Sequence, residues 1–180
     1  MTVIDLAHIE AVKNSLPEEA KDLKLNLSGV FNCEYLNEDQ VWGILLTAAY
    51  FIKDEKLAKA FETDAVSADV DEAVISDAKA AASIMGMNTV YYRFRHTIDK
   101  ETYNKKPARL RMQRMMRPTT SKVNFELNST SAAILLGCQM CINAHEASVI
   151  KEGLSEEHVH DVARITAIVH GVSIALGIGK

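Results

Sequence analysis

Two thiols and an imidazole fall close together in Gly137-Cys138-Gln139-Met140-Cys141-Ile142-Asn143-Ala144-His145-Glu146. If the segment is helical from about Cys138, its thiols stand three positions apart and His145 follows Cys141 by four. That spacing puts all three on one helix face, with neighbouring Cβ atoms ~5–6 Å apart. Thiols this close can join as a disulfide with little backbone movement. Cys138 would sit at the helix start, where unpaired N–H groups and the macrodipole favour an anion. Cys141 would have an imidazole within reach. Both influences pull a thiol down from its free pKa of ~8.5, and the thiolate is the reacting species. A thiolate of this kind can open a peroxide O–O bond and become a sulfenic acid, which a second thiol then converts to a disulfide. The same residue types also suit a zinc site of Cys138, Cys141 and His145 completed by Cys33 or a carboxylate. Structural zinc usually takes four ligands from two paired motifs, and the sequence holds no second pair. An inert buried pair is the third reading.

The elements around the pair read as helices. Apolar residues recur at helical spacing nearly throughout, beginning with Ile4, Leu6, Ile9 and Val12. Pro17 suits the first position of the next helix, with Glu18 and Glu19 in its first turn. Asn37 with Gln40 resembles a capping box ahead of Val41, Ile44, Leu45 and Ala48. Residues 54–65 read as a further helix. Ser67, Asp69, Asp71 and Glu72 then resemble a start that leads to Met85, with Gly86 as the stop. The stretch 90–96 suits helix or strand, and Pro107 and Pro118 mark breaks. Three helices follow, at 122–136, 139–151 and 156–176, with Gly137 and Gly153 between them and Ser155 as a cap. No linker, repeat or alternating strand run divides the chain. It reads as a single all-α domain over residues 1–180, with its redox core at about 122–152.

Composition supports this reading. The 180 residues are 48% hydrophobic and 24% charged, with only three prolines and eight glycines. That balance favours helix and excludes disorder, collagen and a many-turned sandwich. A net charge of −4 leaves no electrostatic footprint for nucleic acid. The longest uncharged stretch, 127–144, is broken by Asn128, Ser129, Thr130, Ser131, Gln139 and Asn143, so no membrane span is expected. The first ten residues contain Asp5 and Glu10 and lead into no apolar run, so no secretory signal is expected. Three cysteines, an odd number, do not make a secreted disulfide framework. A cytoplasmic location follows as the expectation.

Beyond these local signals, Cys138-x-x-Cys141-x-x-x-His145, preceded by Asn124-Phe125-Glu126 twelve residues before the first cysteine, resembles the AhpD alkylhydroperoxidases of the carboxymuconolactone decarboxylase superfamily. The likeness covers nearly the whole chain. It includes Lys21-Asp22-Leu23-Lys24-Leu25-Asn26-Leu27-Ser28, Val41-Trp42-Gly43-Ile44-Leu45-Leu46, and the run from Ala82 through Met85-Gly86-Met87-Asn88-Thr89-Val90 to Arg93. The resemblance implies an all-α AhpD-like fold and a homo-oligomer, often a trimer or a multiple of one. It implies an antioxidant enzyme of the lipoyl-dependent peroxiredoxin type, with no tightly bound cofactor or metal. Its Cys138/Cys141 pair would reduce alkyl hydroperoxides, the disulfide of an AhpC-type peroxiredoxin, or both. Electrons would come from a dihydrolipoyl group on a 2-oxoacid dehydrogenase subunit, itself recharged by dihydrolipoamide dehydrogenase. Residue by residue, Glu126 and His145 match the family's proton relay, Cys141 its attacking thiol and Cys138 its resolving thiol. Met140 departs from the pattern: well-known members carry a relay histidine there, and a thioether cannot shuttle a proton. Weaker direct peroxidase activity than disulfide-reductase activity is therefore expected. The alternatives are a superfamily cousin that acts on a small organic acid, such as a lactone decarboxylase, and a zinc-stabilised interaction module.

The other candidates read as structural. Cys33 matches no motif and is expected to be a semi-buried filler. His8, His96, His158, His160 and His170 lack a matching constellation. Lys105, Lys106, Arg109, Arg111, Arg114 and Arg117 form a basic run that reads as a solvated face, with steering of an acidic lipoyl-bearing domain or a peroxiredoxin as the alternative. Met85, Met87, Met112, Met115 and Met116 read as core or subunit-contact filler, and Tyr91, Tyr92 and Phe94 as packing.

Overall fold

The computed structural model describes residues 6–178, and among these the chain folds into ten α-helices with no strand. They are α1 Ala7–Asn14, α2 Lys21–Ser28, α3 Glu38–Ile52, α4 Glu55–Ser67, α5 Glu72–Ile98, α6 Glu101–Asn104, α7 Gln113–Met116, α8 Lys122–Leu136, α9 Gln139–Lys151 and α10 Glu156–Ile178. Ile4 of the expected opening helix lies outside the described residues. All-α architecture is what the apolar spacing demanded.

The core forms around α3, which packs on α4, α5, α8 and α10. Every residue from Gln40 to Ala49 is buried, so this helix is apolar on all sides rather than along one stripe. Its start is fixed by the expected capping box: Asn37 Oδ1 accepts from the Gln40 amide, and Gln40 Oε1 accepts from the Asn37 amide. Gln40 Nε2 also donates to Asn124 Oδ1 at 3.1 Å, which ties α3 to the start of α8. A β-carbon at Gly43 would stand 2.8 Å from Asn128 Oδ1, so glycine is what lets α3 and α8 approach so closely.

Helix α8 carries a polar run, 128–131, that is buried nonetheless. Ser129 and Thr130 donate back to the Phe125 and Glu126 carbonyls, and Thr166 Oγ1 lies 2.8 Å from Ser131 Oγ. Helix α10 is long and apolar enough to cross a membrane by length and composition. Here its apolar positions pack on α2, α3 and α8.

Three boundaries differ from the sequence reading. Gly86 does not end a helix, because α5 continues through it to Ile98. One interior glycine costs only ~1 kcal/mol relative to alanine. Met85, Asn88 and Thr89 are buried on both sides of it, and that packing outweighs the cost. The same continuation resolves 90–96 as helix. Ser67 is the last residue of α4, and the next helix is capped by Asp71, whose side chain accepts from the Ala73 amide. Pro17 precedes a short 3₁₀ turn, Glu18–Ala20, that leads into α2.

Two acidic side chains fasten the periphery. Asp64 of α4 accepts from the His8 and Ile9 amides at the open start of α1, with His8 Nδ1 2.7 Å away. Asp77 of α5 is fully buried and accepts from Arg114, from the Thr119 and Thr120 amides and from the Thr120 hydroxyl. It thereby clamps the segment between α7 and α8 against α5.

Candidate active site

Helices α8 and α9 form an antiparallel hairpin whose turn carries the first cysteine. Gly137 ends α8 in the left-handed conformation at φ 67°, and Cys138 donates its amide to the Ala133 carbonyl. This is the Schellman pattern, and glycine adopts its left-handed position without a Cβ penalty. The open end of the hairpin is bridged by Lys122 Nζ and Glu152 Oε1 at 2.6 Å.

Cys138 is the N-cap residue of α9, with an extended backbone at φ −88° and ψ 92°. Its carbonyl accepts the first intrahelical bond, from Ile142, while its side chain makes no capping bond. The first-turn amides, including that of Cys141, are therefore left without intrahelical partners beside the two sulfurs. Cys138 and Cys141 are joined by a disulfide with their Cα atoms 5.3 Å apart. Both residues are buried, at 3% and 8% exposure.

The histidine and carboxylate lie on facing helices. His145 Nδ1 is 2.6 Å from Glu126 Oε2, both side chains are mostly buried, and 19 positions separate them in sequence. A carboxylate at Nδ1 favours the tautomer with its proton there and leaves Nε2 as the basic nitrogen. His145 is one helical turn beyond Cys141. The structure thus joins the four candidate residues in two pairs on one hairpin: Cys138 and Cys141 as a bonded pair, and Glu126, which the family resemblance pointed to, and His145 as a contact.

The sequence did not reveal what surrounds the pair. Met85 of α5 and Ala132 and Ala133 of α8 form one buried cluster with the two cysteines, and Phe51 of α3, Tyr92, Met115 and Ile142 pack against that cluster. Met85 and Tyr92 lie on one face of α5, a relationship that appears only once the helix is known to run through Gly86. Met115 arrives on the segment that Asp77 clamps. Met140, at the expected relay position, is 46% exposed.

The remaining candidates lie elsewhere. Cys33 is a free thiol that donates to the Val30 carbonyl and stands 3.4 Å from Arg164. Burial, and then the nearby Asp161 carboxylate, push its pKa up. The basic run is not one face, since Arg114 turns inward to Asp77 while Lys105 pairs with Glu101 on the surface. Among the described residues, no three His, Cys, Asp or Glu side chains gather in a way that could hold a metal ion.

The arrangement can take up and release two electrons as a dithiol–disulfide couple, with a proton-accepting ring one turn away. Known proteins carry the comparison further. The carboxymuconolactone decarboxylase family model matches residues 102–177, which include the whole α8–α9 hairpin. A protein of Anaeromyxobacter dehalogenans named alkyl hydroperoxide reductase AhpD is 44% identical over 171 residues, covering 95% of this chain and 91% of its own length. Proteins of the same name from Rhodospirillum centenum and Maricaulis maris are 44% and 42% identical, covering 93% of this chain and 90% and 96% of their own lengths. At that identity and coverage, the chain belongs to the AhpD family of alkyl hydroperoxide reductases.

Proposed function

We propose that this protein is an antioxidant thiol oxidoreductase that turns over through Cys138 and Cys141. The Cys141 thiolate attacks the hydroxyl-bearing oxygen of a hydroperoxide. The O–O bond breaks, sulfur becomes a sulfenic acid, and the departing alkoxide takes a proton to leave as alcohol. The Cys138 thiol then attacks that sulfur, the S–O bond breaks, and water leaves as the disulfide forms. A dihydrolipoyl group returns two electrons and two protons to complete the cycle. In the same way, the dithiol form passes its electrons to the disulfide of an AhpC-type peroxiredoxin. His145 takes the proton from Cys141 and delivers it to the leaving alkoxide, while Glu126 holds the ring and its tautomer.

The single observation that carries this reading is the burial of a bonded Cys138–Cys141 pair on the same hairpin as the His145–Glu126 contact. The first-turn amides of α9 add ~0.3–1 kcal/mol of support to a thiolate, and up to ~2 when partly buried. A homo-oligomer, a trimer or a multiple of one, belongs to the same proposal. Val90, Phe94, Tyr103 and Met116 are exposed apolar side chains along the outer part of α5 and the segment after it, a surface suited to contact between copies.

The test is a reconstituted assay with lipoamide, dihydrolipoamide dehydrogenase, reduced nicotinamide and an alkyl hydroperoxide, with and without an AhpC-type peroxiredoxin. Nicotinamide oxidation should depend on this protein and on both cysteines, and the peroxiredoxin should accelerate it. Activity on a small organic acid that survives replacement of both cysteines would favour the decarboxylase alternative.

A further inference from the structure

Three buried side-chain polar atoms find no hydrogen-bond partner among the described residues: Trp42 Nε1, Asn88 Oδ1 and Asp161 Oδ2. One of them belongs to the face that α5 turns toward the cysteines. Met85, which shares a buried cluster with the two cysteines, and Tyr92, which packs against that cluster, stand one turn before and one turn after Asn88. At 100° per residue, positions 85, 88 and 92 fall within about 60° of one another around the helix. Asn88 is 5% exposed, so solvent does little to compensate its amide oxygen.

An unpartnered buried acceptor destabilises a fold, and an apolar side chain of similar shape would serve packing better. The neighbouring polar residue, Thr89, is satisfied by the Met85 carbonyl, so the helix can accommodate a paired polar group here. Asn88 Oδ1 is unpaired in the oxidised protein, in which neither cysteine carries a proton or a hydroxyl. The reaction proposed above brings a hydroxyl donor to the cysteine pair that this face of α5 packs toward.

We propose that Asn88 is a peroxide-binding residue, its Oδ1 accepting a hydrogen bond from the O–H of an alkyl hydroperoxide held against Cys141. The inference rests on the peroxide chemistry proposed for the cysteine pair. The O–H that Asn88 holds is the one on the attacked oxygen. As the S–O bond forms and the O–O bond breaks, that hydroxyl passes to sulfur while the alkoxide leaves with a proton from His145. Asn88 therefore keeps the same partner in substrate and sulfenic acid and loses it when water departs. Met85, Tyr92 and Met115 offer apolar surface for the alkyl part. Disulfide exchange with a dihydrolipoyl group brings no such hydroxyl, so it makes no use of Asn88.

The two half-reactions separate the proposal from a packing role. Wild type and Asn88→Leu are compared in the rate at which tert-butyl hydroperoxide oxidises the reduced pair, in the rate at which dihydrolipoamide reduces the disulfide, and in Tm. The expected result is a peroxide step slowed roughly three- to tenfold, the worth of one neutral hydrogen bond. Dihydrolipoamide reduction should stay within about twofold, and Tm should be equal or higher. Asn88→Ala carries the same comparison of rates should the leucine fit poorly. An unchanged peroxide step, or an equal loss in both steps together with a lower Tm, would overturn the assignment. A wild-type protein whose reduced pair is inert to the peroxide would overturn the underlying chemistry, and the role of Asn88 with it.

Discussion

Glu126 and His145 stand on opposite arms of the α8–α9 hairpin with Oε2 and Nδ1 2.6 Å apart. The carboxylate comes from a helix that is buried along most of its length, and the ring from the helix that begins at the cysteines. The contact therefore fixes the ring relative to Cys141 through two rigid elements and one glycine turn.

If that ring serves as the base, His145→Ala should slow peroxide turnover by at least about tenfold, since general acid–base assistance contributes 10²–10⁴-fold. Glu126→Gln keeps an acceptor for the ring without the charge and should cost less. Steady-state rates with circular dichroism as a control for folding check both. Equal activity in wild type and His145→Ala would remove the histidine from the mechanism.

Met140 is half-exposed in the first turn of α9, so a different side chain fits there without repacking. Met140→His should raise direct alkyl hydroperoxide turnover and leave disulfide exchange with dihydrolipoamide within about twofold of wild type. The two rates are measured on the same preparation. A rise in both would point to a changed thiol rather than to an added proton carrier.

Much of this site was legible before folding because it is local. The spacing of Cys138, Cys141 and His145 and the glycine at 137 are properties of ten consecutive residues. Glu126 was reached only through family resemblance, because nothing local distinguishes a buried carboxylate from a solvated one. Gly86 misled, since an isolated glycine gives the same signal whether it ends a helix or sits inside one held by tertiary packing. That error hid the face bearing Met85, Asn88 and Tyr92. Asp77 was invisible for a different reason: its partners lie 37 to 43 positions away, and no periodicity reports such a pairing.

Asp77 should make stability depend on acid. Burial alone pushes its carboxyl up, but hydrogen bonds from Thr120, Thr119 and Arg114 outweigh that and hold it below its ordinary value. A pKa lowered in the fold adds stability that is fully present above the unfolded value, ~3.9, and lost as pH falls through the folded one. Asp77→Asn should cost about 2–4 kcal/mol at neutral pH, less than a fully buried ion pair because Arg114 is partly exposed. Its stability should also vary less than that of wild type below about pH 4. Urea titrations at pH 3, 4 and 7 check the magnitude and the sign.

Cys33 should remain a thiol through turnover. Burial and the Asp161 carboxylate raise its pKa and outweigh Arg164 beside it, which makes it a poor nucleophile at neutral pH. Peptide mapping after peroxide treatment should find Cys138 bonded to Cys141 and Cys33 as a free thiol that is alkylated slowly in the native protein at neutral pH. Native alkylation of Cys33 should quicken as pH rises. A major species with Cys33 in a disulfide would contradict this.

The assignment of Cys141 as the attacking thiol sets two influences against each other. The start of α9 favours an anion at either sulfur by up to ~2 kcal/mol. Only Cys141 has an imidazole one turn ahead, and general-base help of 10²–10⁴-fold, or ~3–5 kcal/mol, should decide between them. The most direct measurement treats Cys138→Ser and Cys141→Ser separately with one equivalent of alkyl hydroperoxide and traps any sulfenic acid with a dimedone-type probe for mass spectrometry. The expected result is a trapped sulfenic acid on Cys141 in Cys138→Ser and none on Cys138 in Cys141→Ser. A sulfenic acid trapped on Cys138 instead, with Cys141 unmodified, would contradict it.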